Sequence, residues 1–182
     1  MKNDGSVSNE EAFWRYFASV YGEKARGDIG LFEEFYAVDF QKAKQFCGFA
    51  PKAGETVELV RSLGAVPVLA TNPLFPAVAT RSRIRWAGLE PEQFALYTTY
   101  ENISWCKPNL DYYREILRRL DAEPNDCIMV GNDVAEDMVA EELGITVFLL
   151  TDCMINRRNE DIERWPHGGF SELEAFLRSE LA

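Results

Sequence analysis

The chain has 182 residues, 47% of them hydrophobic, which is enough for one compact domain or for a domain with a small lobe attached. Its 30 Asp and Glu against 19 Lys and Arg give a formal charge of -11, and so acidic a surface argues against nucleic acid and membrane surfaces as partners. Four cysteines without a Cys-x-x-Cys pair, together with one histidine, argue against a zinc site. We therefore expect a cytoplasmic protein with reduced cysteines and no membrane span.

Residues 1–50 carry helical patterns only. Ser8 followed by Glu11 predicts a capping box at a helix start. Aromatic and aliphatic side chains then recur on one helical face, namely Phe13, Trp14, Phe17, Val20 and Tyr21. Glycine and proline cluster between residues 48 and 54, so we predict that a small helical lobe, 1–50, ends there.

From Pro51 onward, helical and strand patterns alternate. Short apolar runs at 66–70, 94–100, 127–130 and 145–150 predict buried strands. Helical patterns at 51–63, 73–87, 110–120 and 135–143 lie between them, and a capping box at Ser171 and Glu174 predicts a last helix. This alternation predicts a doubly wound, Rossmann-like α/β sheet with a parallel core over residues 51–182. Ligands bind such sheets at the carboxyl ends of the strands.

The first strand end carries Thr71-Asn72-Pro73. A hydroxyl, an amide and the N-terminus of a helix that we predict to begin at Pro73 would together form an anion cradle. Ordinary turn chemistry is the alternative interpretation for this tripeptide.

Charged side chains follow two later strands. Lys107-Pro108 precedes a helix, where a lysine can offset the negative charge of a phosphoryl group; a solvated surface lysine is the alternative. Gly131 follows the next strand, and Asp133 would lie at the mouth of a site at that strand end. Asp137 comes one helical turn after Asp133, so the two carboxylates can face one point. Two hard oxygen ligands suit Mg²⁺, although Asp133 could simply cap the helix.

In order and spacing, these residues resemble motifs two, three and four of the haloacid dehalogenase (HAD) superfamily, in its phosphatase branch with a helical cap. The resemblance covers about residues 51–150 and implies that 1–50 form part of the cap. It implies phosphate binding by Thr71, with Asn72 beside it, and by Lys107, which bridges nucleophile and phosphoryl group. It also implies Mg²⁺ as cofactor at Asp133 and Asp137.

The first motif of that superfamily, a strand ending in Asp-x-Asp-x-Thr, does not occur in the chain. Its first Asp attacks phosphorus and its second acts as general acid and base. Asp4-Gly5-Ser6 imitates the second half, but Lys2 stands in the nucleophile's place and no strand precedes it. We interpret Asp4 as a turn residue. The missing strand would lie centrally, between the strands ending at Thr71 and Val130, and we expect an N-terminally truncated product.

The leading hypothesis is therefore a Mg²⁺-dependent phosphatase that acts on a small phosphorylated metabolite through an aspartyl-phosphate, and that is inactive as this chain alone. The gap in its sheet would favour self-association. One alternative is a non-catalytic phosphate- and metal-binding module or subunit, and a second is a haloacid dehalogenase, which needs no Mg²⁺. A dinucleotide-binding domain is excluded because no Gly-x-Gly-x-x-Gly follows a strand.

Overall fold

A computed structural model describes residues 3–181, so Lys2 lies outside the described residues. They form two compact units: the chain up to Gly54 with Pro67–Cys106, and Glu55–Val66 with Lys107 to the end. Each unit holds a parallel sheet with helices, which confirms the predicted α/β class. The first division point falls within the predicted boundary region, but the assignment of 1–50 to a cap and 51–182 to a core stays a prediction. No helix within 3–181 is both long and apolar enough to cross a bilayer.

The first unit begins with helices and ends with a two-stranded sheet. Its helices are α1 (Asn9–Tyr21), α2 (Ile29–Ala37) and α4 (Ala77–Trp86), its strands are β1 (Val68–Leu69) and β2 (Leu96–Tyr97), and 3₁₀ turns cover Glu23–Asp28, Asp39–Phe46 and Pro91–Gln93. Helix α3 (Pro51–Ser62) leads from this unit into the second. The predicted strands at 66–70 and 94–100 are therefore much shorter than expected.

Helix α1 forms as its sequence predicts. The Ser8 side chain accepts a hydrogen bond from the Glu11 amide at 3.2 Å, which satisfies one of the free amides of the first turn. Trp14 is 2% exposed and packs edge-on against Phe32 of α2, with ring centroids 5.1 Å apart. Aromatic packing thus joins the first two helices.

Helix α4 begins at Ala77, not at Pro73 as predicted. A proline disfavours helical backbone in the residue before it, and two prolines occur here, Pro73 and Pro76. The segment between them is not helical, and the helix can begin only after the second proline. Its first amide, that of Ala77, donates to the carboxylate of Glu101 at 2.7 Å.

The second unit contains a three-stranded parallel sheet in the order β3-β4-β5. Its strands are β3 (Ile128–Gly131), β4 (Thr146–Leu150) and β5 (His167–Gly168), and its helices are α5 (Leu110–Leu120), α6 (Val134–Asp137) and α7 (Phe170–Glu180), with α6 continuing as a 3₁₀ segment, Met138–Leu143. Helix α7 packs on the sheet through Leu173 and Leu177, which form a buried core with Phe148 of β4. Strand β5 is a feature that the sequence patterns did not predict.

The predicted capping box of α7 is wrong. The helix begins at Phe170 with Gly169 as its N-cap, and the Glu172 carboxylate accepts from the Gly169 amide at 3.0 Å. Glu174 instead accepts from Arg178 one turn along the helix.

Glu10 provides a test of electrostatics in the first unit. Burial raises the pKa of this carboxyl, and the neighbouring Glu101, Glu11 and Glu33 raise it further. Because the pKa is higher in the folded state than in the unfolded state, ionisation of Glu10 destabilises the fold. The contribution of the protonated carboxyl to the free energy of unfolding is complete below about pH 4.5, the ordinary Glu value, and is lost as the pH rises through the folded pKa. We expect Glu10→Gln to raise the free energy of unfolding at pH 7 and to change it little at pH 3.5, measured by urea denaturation.

Glu11 is the matched control because its shift has the opposite sign. Hydrogen bonds from Arg15 and Arg26 hold its pKa below the ordinary value. Its stabilising contribution is therefore present above the unfolded pKa and lost as the pH falls, so Glu11→Gln should weaken the fold at pH 7. Equal effects of the two substitutions at pH 7 would contradict this account.

Candidate functional site

Lys107 is buried in the second unit and is paired there. Its Nζ lies 2.6 Å from Asp137 Oδ1, and the two side chains are only 6% and 7% exposed. The ammonium group also lies near the rings of Tyr112 and Tyr113, with centroids 5.8 and 6.0 Å from Nζ. Lys107 is thus not the solvated surface lysine of the alternative interpretation. A lysine withdrawn from water and fixed by a carboxylate holds its charge at a defined point.

Gly131 explains why Asp137 can lie where it does. A Cβ atom at residue 131 would overlap with Oδ2, Cγ and Cβ of Asp137. Only glycine therefore lets the carboxylate lie against the end of β3. The Asp133 amide donates to Asp137 Oδ2 at 3.0 Å, and Lys107 occupies Oδ1, so both oxygens of Asp137 are engaged.

Asp133 caps α6 and also lines a cavity. Its Oδ1 accepts from the amides of Ala135 and Glu136 at 3.0 and 3.1 Å. No donor among residues 3–181 reaches Oδ2. The side chain lines a cavity of about 230 Å³ that is bounded by Pro108, Val134, Ala135, Glu136, Asn156, Arg157, Arg158 and Glu160. Asp133 can therefore cap α6 and take part in the candidate site at the same time, because capping uses only Oδ1.

These residues fit Mg²⁺ as a sparsely ligated ion. Among residues 3–181, no group of three or more His, Cys, Asp or Glu side chains could hold a metal. Mg²⁺ is commonly held by one or two carboxylates, with water and substrate phosphate completing the octahedron. Asp133 Oδ2 suits that role. Asp137 contacts the Lys107 ammonium through Oδ1 and the Asp133 amide through Oδ2, and its role as a second metal ligand stays a prediction.

Thr71 and Asn72 lie in the first unit, and Lys107, Asp133 and Asp137 lie together in the second. The Thr71 hydroxyl donates to the Thr98 carbonyl at 3.1 Å, and Thr98 Oγ1 donates to the Thr71 carbonyl at 2.8 Å. No helix begins directly after Asn72, so the predicted contribution of a helix N-terminus to an anion cradle is wrong. Phosphate binding by Thr71 and Asn72 stays a prediction.

Tyr113 is a supporting residue that the sequence patterns did not single out. Its hydroxyl donates to the Glu136 carbonyl at 2.6 Å, which ties α5 to α6 beside the Lys107–Asp137 pair. Burial raises the pKa of the phenol, and the nearby carboxylate of Asp137 raises it further, so Tyr113 remains a neutral donor. The only signal in the sequence was its place on the apolar face of α5.

Asp4 is a turn residue, as interpreted from the sequence. Its exposed carboxylate accepts from the amide and the hydroxyl of Ser6 at 3.0 and 2.6 Å, which lowers its pKa. Gly5 takes a positive φ of 81° and packs against the Trp105 ring. The tripeptide is thus a local turn and not the end of a strand.

One family model matches part of the chain. The model described as HAD-hydrolase-like covers residues 104–168, a segment that contains Lys107, Asp133 and Asp137 but neither Thr71 nor Asn72. No curated protein matches the chain.

Solved structures share the fold at low sequence identity. A HAD phosphatase from Thermococcus onnurineus is 20% identical with a TM-score of 0.64, and the match covers 93% of this chain and 72% of that one. CbbY from Rhodobacter sphaeroides, solved with phosphate, is 18% identical with a TM-score of 0.55, over 74% of this chain and 64% of that one. A dehalogenase is 20% identical with a TM-score of 0.55, and the match covers 70% of this chain and 55% of that one.

The chain thus spans less than two thirds of the length of CbbY and of the dehalogenase. The parallel α/β architecture and the matched segment confirm the predicted resemblance to HAD-type hydrolases. At these identities the structural likeness establishes the fold, and the reaction has to be argued from the site.

Proposed function

From the fold that this chain shares with HAD-type hydrolases, we propose that it carries the lysine and acid part of a Mg²⁺-dependent phosphatase site. The observation that carries the proposal is the buried Lys107–Asp137 pair, 2.6 Å apart, beside Asp133. A fixed cation and a carboxylate with one free oxygen, at the carboxyl end of β3, suit a phosphoryl group and a hard metal ion. The substrate would be a small phosphorylated metabolite.

Each residue has a distinct task in this proposal. Lys107 balances the negative charge of the phosphoryl oxygens and of the nucleophile, and Asp137 holds the ammonium in position. Asp133 would hold Mg²⁺, which when bound would further neutralise the phosphoryl group. Thr71 and Asn72 would bind the remaining phosphoryl oxygens.

The nucleophile would come from an Asp-x-Asp strand that precedes these residues in a longer form of the protein. Its first carboxylate attacks phosphorus and forms an aspartyl-phosphate as the alcohol leaves, and water then hydrolyses the acyl phosphate. Among residues 3–181, β3 pairs only with β4, so its other edge can accept a strand. We propose that this 182-residue chain alone does not turn over substrate, and that the open edge favours self-association.

Substitutions in the longer form test the site. We expect Lys107→Ala and Asp133→Asn each to lower kcat/KM for p-nitrophenyl phosphate by roughly 100-fold or more, the usual cost of removing one electrostatic contact to the transition state. Exposed counterparts serve as controls: Lys24→Ala and Asp126→Asn should leave turnover unchanged. Near-normal turnover in both site variants would reject this assignment.

A non-catalytic binding module is the other class of function that the chain supports. Its prediction is that the natural protein has this mass, 20.7 kDa, and binds phosphate and Mg²⁺ without hydrolysis. The phosphatase proposal expects instead a larger natural protein whose extra N-terminal residues include Asp-x-Asp. Intact mass spectrometry of the protein from its source separates the two.

A further inference from the structure

A loop after β4 is held against the end of β3. The Ile155 amide donates to the Asn132 carbonyl at 2.7 Å, and the Val134 amide donates back to the Ile155 carbonyl at 3.0 Å. The Asn132 side chain adds a third bond, to the Cys153 carbonyl at 2.6 Å. Residues 151–160 are therefore fixed beside Asp133 by the same Gly131–Asp133 turn that forms the candidate site.

The tip of this loop is closed by one side chain. Asn156 accepts from the Glu160 amide at 2.9 Å and donates to the Glu160 carbonyl at 2.8 Å. The closed loop presents Arg157 and Arg158, both exposed, between these two residues. A loop constrained in this way loses little conformational entropy when its side chains bind a ligand.

Neither arginine has an ion pair or a hydrogen bond among residues 3–181. Several other exposed arginines of the second unit do pair, for example Arg114 with Asp111 and Arg178 with Glu174, whereas Arg118 does not within the described residues. Arg157 and Arg158 differ from Arg118 in that they are adjacent and line a cavity. Their guanidinium groups remain available to an external anion.

The arginines and Asp133 line the same cavity of about 230 Å³, and no ion pair joins them. The acids Glu136 and Glu160 also line it, so the cavity does not attract anions uniformly. The lining therefore combines the proposed metal residue, Asp133, with two guanidinium groups. A ligand bound at Asp133 in this cavity would have the guanidinium groups within the same lining.

We infer that Arg157 and Arg158 bind a second anionic group of the substrate, which makes the substrate class a phosphoester that also bears a carboxylate or a second phosphate. This inference rests on the proposed function, because Asp133 has to mark the phosphoryl end. Arginine suits the task because its planar fork can donate two parallel hydrogen bonds to a carboxylate or phosphate. The two guanidinium groups set specificity and take no part in the bond-breaking step.

Isothermal titration calorimetry with the 182-residue chain and Mg²⁺ tests the inference. Glycerol 3-phosphate and 3-phosphoglycerate form a matched pair of probes, because they differ only by a primary alcohol in place of a carboxylate. We expect 3-phosphoglycerate to bind roughly tenfold more tightly, the lower end of what a hydrogen bond to a charged group contributes. R157Q/R158Q should abolish that difference and leave binding of glycerol 3-phosphate unchanged.

The double variant R118Q/R178Q is the control, since it removes the same charge from exposed positions of α5 and α7 and should retain the preference. Equal affinity of the two probes, or a preference that survives R157Q/R158Q, would overturn the inference and leave the phosphatase proposal intact. Binding of neither probe would contradict the phosphatase site itself, and the inference with it.

Discussion

Lys107→Met should lower the free energy of unfolding of the chain by about 3–5 kcal/mol, because it leaves the Asp137 carboxylate buried without its counterion. The pair is 2.6 Å apart and each side chain is less than a tenth exposed, so water cannot replace the lost contact. Met retains most of the length of the lysine side chain and can keep the contact with the Tyr112 and Tyr113 rings. Urea denaturation measures the effect directly in the 182-residue chain.

A double-mutant cycle separates the pair from other causes. Asp137→Asn removes the charge but keeps an oxygen for the Asp133 amide, so K107M/D137N should be more stable than K107M alone. The exposed pair Arg178–Glu174, about half exposed on both sides, is the matched control and should show a coupling below about 0.5 kcal/mol. A coupling for Lys107–Asp137 as small as that of the control would show that the buried pair does not hold the site together.

Gly131→Ala should have an effect of similar size for a different reason. The added methyl would occupy the position of the Asp137 carboxylate, so either that side chain moves away from Lys107 or the end of β3 shifts. Overpacking costs about 1–3 kcal/mol, and separation of the buried pair adds to it. We expect Gly131→Ala to lower the free energy of unfolding by at least about 3 kcal/mol. In the longer form we also expect it to abolish phosphatase activity.

Gly54→Ala is the control because it adds the same methyl in an open position of helix α3. The nearest atom to its Cβ would be Leu89 Cδ2, at 3.9 Å, an ordinary contact. Alanine is favoured over glycine in helices by about 0.5–1 kcal/mol, so this variant should be no less stable than the parent chain. Equal losses in both glycine variants would contradict the steric account of Gly131.

The candidate site was predictable where its chemistry follows from local spacing. Gly131, Asp133 and Asp137 lie between the last residue of β3 and the last residue of α6, so their proximity follows from the geometry of these two elements. Lys107 and Asp137 are 30 residues apart in the chain, and their pairing depends on how α5 packs on α6. Sequence spacing alone could not show that the Lys107 ammonium contacts an oxygen of Asp137.

The starts of two helices, α4 and α7, were predicted wrongly. Two prolines delay α4 by four residues, and a distant glutamate, Glu101, caps its first amide. At α7, Gly169 with Glu172 and Ser171 with Glu174 have the same spacing, and the helix uses the first pair as its cap. Strands β1 and β2 were predicted too long, because apolar runs continue beyond the residues that pair.

The most direct test of the central claim is hydrolysis by the natural protein from its source, with and without a strong chelator. Our account predicts release of phosphate from phosphoesters that stops on chelation, returns with Mg²⁺, and is lost in Asp133→Asn. Phosphate release or halide release from a haloacid that persists under chelation would contradict it, and the halide result would establish the dehalogenase alternative.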